Sequence, residues 1–391
     1  MLLPQELIDL IVDAVGDYDA LNACSLVCAA FAAPAQRVLL RKIVVVQGGR
    51  RVEHRALSIQ RVHATFRRSL HVPSYVRDVE LKLSGLPLND GERGPLQYIL
   101  SVLSNIERLT ISGSAPLRPS SVLRDLLPDL LGVLRRPTLD WVSLIRIIDV
   151  PSAFFSLAML SARVVWIHNI FVHNTQDLAS GNRVGSHAST ARLEHLITRG
   201  SLSSFLDAGV SQYLQHLRTL EIDMMPGTHT AAHAVITAAS SSIKNLLIDY
   251  GDYYGFRSSA ALQLPNLAAL RTLRLTLFLG WVRRFPPDIF ATVAAFPECI
   301  PNIQRLSFAF TLDSLEQRVP WQETELFALF DVRCDYRARL PHLRQVECVL
   351  NFLPWESNPR VVKDRVFSEF RANMEKRFPG LGAEMLTFSH S

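Results

Sequence analysis

No stretch of the 391-residue chain comes near the ~18–20 uncharged apolar residues that a membrane-spanning helix needs. No Asn-x-Ser/Thr sequon occurs, and the five cysteines are few and odd in number. A disulfide framework is therefore not expected, and a reducing compartment, cytosol or nucleus, fits the composition. The opening MLLPQELIDL has no basic flank and meets Pro4 and Glu6 at once, so it does not read as a secretion signal. The phosphate-cradling Gly-x-x-x-x-Gly-Lys-Ser/Thr, the dinucleotide-binding Gly-x-Gly-x-x-Gly and the Gly-x-Ser-x-Gly elbow are all missing. Basic charge is missing from Met1 to Gln36, which holds Glu6, Asp9, Asp13, Asp17 and Asp19 but no Lys or Arg.

What is present predicts a folded chain, with 48% hydrophobic and 20% charged residues. Its length exceeds the ~250–300 residues at which single cores stop growing, so it divides into domains or grows repeat by repeat. Behind the acidic start comes a basic neck. Arg37 to Arg77 carries ten cations (Arg37, Arg41, Lys42, Arg50, Arg51, Arg55, Arg61, Arg67, Arg68 and Arg77) against Glu53 alone. Such a run reads either as a solvated helix face or as a contact for an acidic partner or nucleic acid. No aromatic interleaving or nucleic-acid motif accompanies it.

Pro4 suits the first turn of a helix, and Glu6 and Asp9 favour its positive end. Leu7, Leu10, Ile11, Ala14 and Val15 share one broad face, which Ile8 and Val12 extend around the cylinder, before Gly16 and Asp17 break the helix. A second helix is expected from Asp19 as its cap. It carries Leu21, Cys24, Cys28 and Phe31 as a stripe, with Leu26, Val27 and Ala30 off it. Pro34 is expected to open a third helix bearing Val38 and Leu39, and KIVVVQGG reads as a strand closed by a glycine turn. Cys24 and Cys28 lack the second close pair that a zinc site requires, and Cys-x-x-x-Cys is not the redox spacing. They read as small buried hydrophobes. Three short helices cannot cover so much apolar surface by themselves, and uncovered apolar surface marks a partner.

The segment LLPQELIDLIVDAV…LNACSLVCAAFAAPAQRVLLRKIVV resembles the F-box. The likeness rests on Leu3-Pro4, on Glu6-Leu7-Ile8 with Ile11, and on Ser25-Leu26-Val27-Cys28. Phe31 stands where that family usually has Trp. The resemblance implies a three-helix module that docks the Skp-type adaptor of cullin–RING ubiquitin ligases, with Leu3, Pro4, Leu7, Ile8, Leu26 and Val27 facing the adaptor. It leaves the rest of the chain to choose substrates.

Arg51 to His71 is expected to be one helix, with Val52, Ala56, Ile59, Val62, Phe66 and Leu70 inward and arginines outward, ended by Pro73. SLHVPSYVRDVELKL resembles the junction that follows the F-box in many fungal members. From there a pattern returns: apolar, two residues, apolar, one residue, apolar. Its central anchors are Val79, Leu109, Val142, Val165, Leu196, Leu220, Leu246, Leu273, Leu306 and Val346, spaced 23 to 40 residues apart. The pattern resembles a degenerate leucine-rich repeat, whose regular period is ~20–29 residues. PSSVLRDLLPDLLGVLRRP and DIFATVAAFPECIPN read as helical returns. Because side chains alternate along a strand, the anchors point inward. Glu80, Thr110, Ser143, Trp166, Ile197, Glu221, Leu247, Arg274, Ser307 and Glu347 then face the concave surface, joined two places on by His168, Arg199, Asp223 and Asp249. Trp166, His168, Arg199, Glu221, Asp223, Asp249 and Arg274 are the candidate substrate contacts. NPRVVKDRVFSEFRANMEKRF, amphipathic through Val362, Val366, Phe370, Met374 and Phe378, precedes a last strand and caps the open end.

Enzyme chemistry finds little footing. His229 and His233 in HTAAH are four apart, but Thr230 replaces the Glu of a zinc-protease helix. Glu221, Asp223 and Asp249 would sit wet on an open face rather than in a hydrolase cleft. No catalytic residue, metal or cofactor is assigned. The expected architecture is α/β: an F-box-like three-helix module (1–47), a basic linking helix (48–75), an irregular leucine-rich-repeat-like solenoid with a curved, mainly parallel sheet (76–351), and a capping helix and strand (352–391). The expected role is the substrate receptor of an SCF-type ligase, intracellular and fungal in type. Its partners are the adaptor and a protein substrate, without membrane or nucleic acid. The alternatives are a scaffold binding nucleic acid or an acidic partner through the arginine neck, and a paralogue that keeps the F-box shape without engaging a ligase.

Overall fold

The computed structural model describes residues 3–48, 56–84, 86–113, 123, 125–148, 150–173, 192–200, 202, 210–225, 228–250, 262–279, 292, 295–312, 339–352, 360–378, 381 and 384–390. Val52, Arg50, Arg51, Arg55 and Cys334 lie outside these residues.

Helix α1 (Gln5–Asp13) follows Pro4, whose carbonyl accepts from the backbone N–H groups of Leu7 and Ile8. Helix α2 (Tyr18–Val27) is capped by Asp17, whose carboxylate accepts from Ala20 N–H at 2.9 Å, so the cap lies two residues ahead of the expected Asp19. Cys28 then turns to an extended φ of −162°, and α3 (Ala29–Leu39) begins behind it. This break splits the expected Leu21–Cys24–Cys28–Phe31 stripe between two helices and leaves Cys28 exposed. Pro34 lies inside α3 instead of opening it. Proline cannot donate back to the carbonyl four residues earlier; the Gln5 side chain supplies that donor instead, reaching Ala30 O at 3.2 Å.

The expected helix from Arg51 to His71 is shorter than its apolar pattern implied. Strand β1 (Lys42–Val46) is followed by β2 (Ala56–Ser58), and only then by α4 (Ile59–Arg68), with the Ser58 hydroxyl accepting from Arg61 N–H. Ile59, Val62 and Phe66 are buried as expected, while Leu70 lies beyond the helix end and is exposed. The one-turn helix α5 (Val72–Tyr75) leads into β3 (Asp78–Leu83).

Contacts divide the chain into two compact units, Met1–Leu193 and Glu194–Ser391. In the first, α6 (Asp90–Val102), β4 (Arg108–Gly113), α7 (Leu127–Leu134), β5 (Trp141–Ile145), β6 (Val150–Pro151), α8 (Ser152–Ser161), β7 (Val164–His168) and β8 (Val172–His173) follow. Its main sheet runs β2-β1-β3-β4-β5-β7, all parallel, and β6 pairs with β8 separately. The second unit contains β9 (His195–Arg199), β10 (Thr219–Asp223), α9 (His229–Ala238), β11 (Asn245–Tyr250) and β12 (Thr272–Leu279). It ends with α10 (Phe296–Cys299), β13 (Arg305–Leu312), β14 (Gln345–Phe352), α11 (Arg360–Arg377) and β15 (Leu386–His390). Strands β9 to β15 lie side by side in chain order, again all parallel.

The predicted anchors align without offset. Val79, Leu109, Val142 and Val165 are register partners in the first unit; Leu196, Leu220, Leu246, Leu273, Leu306 and Val346 are partners in the second. Each is essentially sealed from solvent. Ile43 precedes Val79 in the first ladder and Leu386 follows Val346 in the second, so β1 and β15 belong to the sheets on either side of the expected array. The residue before each strand supplies a carbonyl that accepts two N–H groups from the next strand's start, as at Arg41, Arg77, Glu107 and Asp140, and again at Arg218, Lys244, Arg271 and Gln304. This doubles the hydrogen bonding at one edge of each sheet and fixes register before the strands begin.

Among the described residues, two non-glycines, Arg146 (φ 54°) and Asn169 (φ 49°), occupy the left-handed region, directly behind β5 and β7. Gly113, at the end of β4, lies against the Arg146 carbonyl so closely that a Cβ there would collide with backbone.

One core position breaks the pattern. Thr198 takes the third apolar place of its repeat, paired with Ile222, and is 1% exposed with no partner for Oγ1. A buried unbonded hydroxyl costs about 1–3 kcal/mol, so Thr198→Val is expected to raise stability by about 1 kcal/mol. Urea unfolding would show this as a higher midpoint at unchanged slope; a lower midpoint would mean that the hydroxyl has a role in the core.

Candidate functional site

The core of the three opening helices is small and already filled. Ile8, Val12, Leu21 and Ala35 are buried together, with Val15, Cys24, Ala30, Phe31, Val38 and Leu39 packed around them. Gln5 Nε2 also donates to Asp9 Oδ1 at 2.8 Å, and Arg37 pairs with Asp9 at 3.5 Å, which ties α1 to α3. Among the described residues, six large aliphatic side chains remain outside. Leu3, Leu7, Leu10 and Ile11 form a stripe along α1, while Leu26 (82% exposed) and Val27 (70%) stand out at the end of α2. Single exposed leucines are ordinary on protein surfaces; a stripe beside two nearly bare side chains is not.

The structure therefore leaves Leu3, Pro4, Leu7, Leu26 and Val27 on the surface and takes Ile8 off it, at 6% exposure. Ile8 sits about 100° around the helix from Leu7 and points at Val12 and Leu21. Leu10 and Ile11 complete the stripe at i+3 and i+4 from Leu7, a spacing legible in the sequence. The exposed charges Glu6, Asp13, Asp17 and Asp19 surround these residues.

Among the described residues, four of the neck's ten cations form internal ion pairs. Besides Arg37–Asp9, Arg41 and Arg77 both reach Glu107 (3.7 and 3.6 Å), and Lys42 meets Glu80 at 3.3 Å. Arg67 lies over the Tyr98 ring at 4.6 Å, beside His63. Solvent-exposed pairs such as these add little stability, but they remove charge that a polyanion would need.

On the open face of the first unit, Glu80, Thr110, Ser143 and Trp166 are register partners, as predicted. Trp166 and His168 are half-buried there, and Ser143 is buried. Trp141, which the sequence reading passed over, stacks under Arg108 at 5.3 Å. Burial pushes the Asp78 carboxyl above its ordinary range despite nearby Lys42 and Arg108. The hydrogen bonds from Arg163 hold the Asp140 carboxyl below that range.

In the second unit, Ile197, Glu221, Leu247, Arg274, Ser307, Glu347 and Thr387 form one row across the strands. Polar side chains are stitched along this row and the one before it. His195 Nε2 lies 3.0 Å from Glu221 Oε1, Asn245 donates to Thr219, Arg305 to Gln345, Gln345 to Thr387, and Ser307 to Glu347. Asp223 and Asp249 are register partners one row further on, and Arg199 is exposed. His233 Nδ1 lies 2.6 Å from Gln263 O, which commits it to a backbone carbonyl rather than to a shared ligand with His229. Among the described residues no group of three or more His, Cys, Asp or Glu is placed to hold a metal ion, and no helix is long and apolar enough to cross a membrane. Burial first, and Glu347 second, push the Cys348 thiol far above its usual range, so it stays protonated.

No protein-family model matches the chain, and no curated protein is significantly similar to it.

Proposed function

We propose that this chain is an intracellular, non-enzymatic substrate receptor: an F-box-like trio docks a Skp-type adaptor, and a degenerate leucine-rich-repeat-like array presents a protein for ubiquitination. The observation that carries the reading is the set of six exposed aliphatic side chains, among the described residues, on a trio whose own core is complete without them. The in-order parallel strands, with sealed anchors on one face and polar side chains on the other, support the second half. Such a receptor breaks no bonds; it raises the concentration of substrate beside the ligase.

Co-expression of the full chain with a Skp-type adaptor tests this. The expected result is a stoichiometric complex on size exclusion that survives 0.5 M salt, because apolar burial is not screened. A chain that elutes alone at both low and high salt would overturn the adaptor assignment. Steeply salt-dependent retention of random duplex would favour the arginine neck as a nucleic-acid contact. The internal pairing of Arg37, Arg41, Lys42 and Arg77 argues against that outcome.

A further inference from the structure

On the polar face of the second unit, which is buried at Ser307 and Ala309, one cation among the described residues is left over. Arg274 sits in β12 between Leu247 on β11 and Ser307 on β13. Leu247 offers no acceptor, and the Ser307 hydroxyl is already given to Glu347 at 3.0 Å. Glu221 is engaged by His195. Arg274 Nε is sealed from solvent without any hydrogen-bond acceptor, although the residue as a whole is half-buried. A guanidinium stays charged and presents its donors in a flat fork that matches a carboxylate. Leaving such a donor buried and unbonded on a face where its neighbours are cross-linked costs stability, and no described residue recovers it.

We infer that Arg274 is an anchor for one carboxylate of an extended peptide lying on this face. The surrounding charges narrow the class of peptide. Glu221, Asp223, Asp249 and Glu347 stand within one or two strands of Arg274. They disfavour polyacidic ligands and doubly charged phosphate, and they favour a lone carboxylate flanked by basic or neutral residues. The carboxylate is either an acidic side chain or a chain terminus. This inference rests on the receptor reading above and gives its substrate a chemistry.

The test follows the Arg274 Nε–Hε resonance of the isotope-labelled full chain, assigned by its disappearance in Arg274→Met. Three probes are titrated: acetyl-Lys-Ala-Glu-Ala-Lys-amide, the same peptide with Gln in place of Glu, and acetyl-Lys-Ala-Ala with a free C-terminus. A saturable shift with the Glu peptide but not the Gln peptide supports a side-chain carboxylate. A shift with the free-terminus peptide supports a terminal one. Arg274→Met is expected to weaken the binding at least tenfold while leaving the melting temperature unchanged or higher, because the methionine removes an unbonded charge. No shift with either carboxylate peptide overturns the inference, as does a response to inorganic phosphate alone. A lowered melting temperature in Arg274→Met also overturns it, by making the arginine structural. Adaptor capture, measured on the same preparations, separates this failure from failure of the receptor reading.

Discussion

Replacing Leu7 and Leu26 together by Asp is expected to lower capture of a Skp-type adaptor by two to four orders of magnitude while leaving the melting temperature within about two degrees. Burying one leucine contributes about 1.5–3 kcal/mol. Two therefore contribute about 3–6 kcal/mol, and each 1.4 kcal/mol is tenfold in affinity. Both side chains are well exposed in the isolated chain, so polar replacements cost the fold little. Ile8→Ala is the control. It lies one residue from Leu7 but inside the trio, and its truncation is expected to cost about 2–5 kcal/mol of local stability. Calorimetric titration and thermal unfolding of both variants separate the two cases. Unchanged adaptor affinity in the double variant would remove the trio from the interface.

Phe370→Ala is expected to have the largest effect on stability in the second unit, about 3–5 kcal/mol. Phe370 of α11 is fully buried, edge-on to Phe310 of β13 at 5.4 Å and to Phe388 of β15 at 6.4 Å. It therefore holds the last helix and the last strand to the sheet together. Hydrogen exchange should show β15 amides losing protection first, with β14 following because it then becomes the edge. Retained protection along β15 would mean that strand pairing, not α11, closes this end.

The parts of the fold legible in the sequence are those where one periodicity acts alone. The anchors Val79 to Val346 could be named because a strand's alternation forces the same apolar spacing at every repeat, whatever the length between. Val366, Phe370, Met374 and Phe378 were legible for the matching reason at helical spacing, and all four are buried. The errors fall where two signals compete. Cys28 and Phe31 fit a helical stripe with Leu21 and Cys24, but an extended backbone at Cys28 intervenes and no turn residue marks it. Pro34 reads as a helix start until a side chain from another helix, Gln5, takes over the carbonyl that proline cannot serve. The resemblance to the F-box puts Ile8 outward; α1 is apolar over most of its circumference, and only the position of Leu21 and Ala35 decides which of its apolar residues turn in. On the open face, the sequence located Arg274 but could not show that its neighbours are already engaged elsewhere, since that depends on hydrogen bonds between strands up to 40 residues apart.

The unshifted ladders carry a lesson for anyone altering this molecule. Intervals between anchors vary from 23 to 40 residues, yet Val79 still meets Leu109 and Leu306 still meets Val346. All slack is therefore absorbed between strands and none within them. A tag, a cleavage sequence or a reporter spliced into a connection should be accommodated without disturbing its flanking rows. Removing one residue from a strand would turn every inward side chain beyond it to face water.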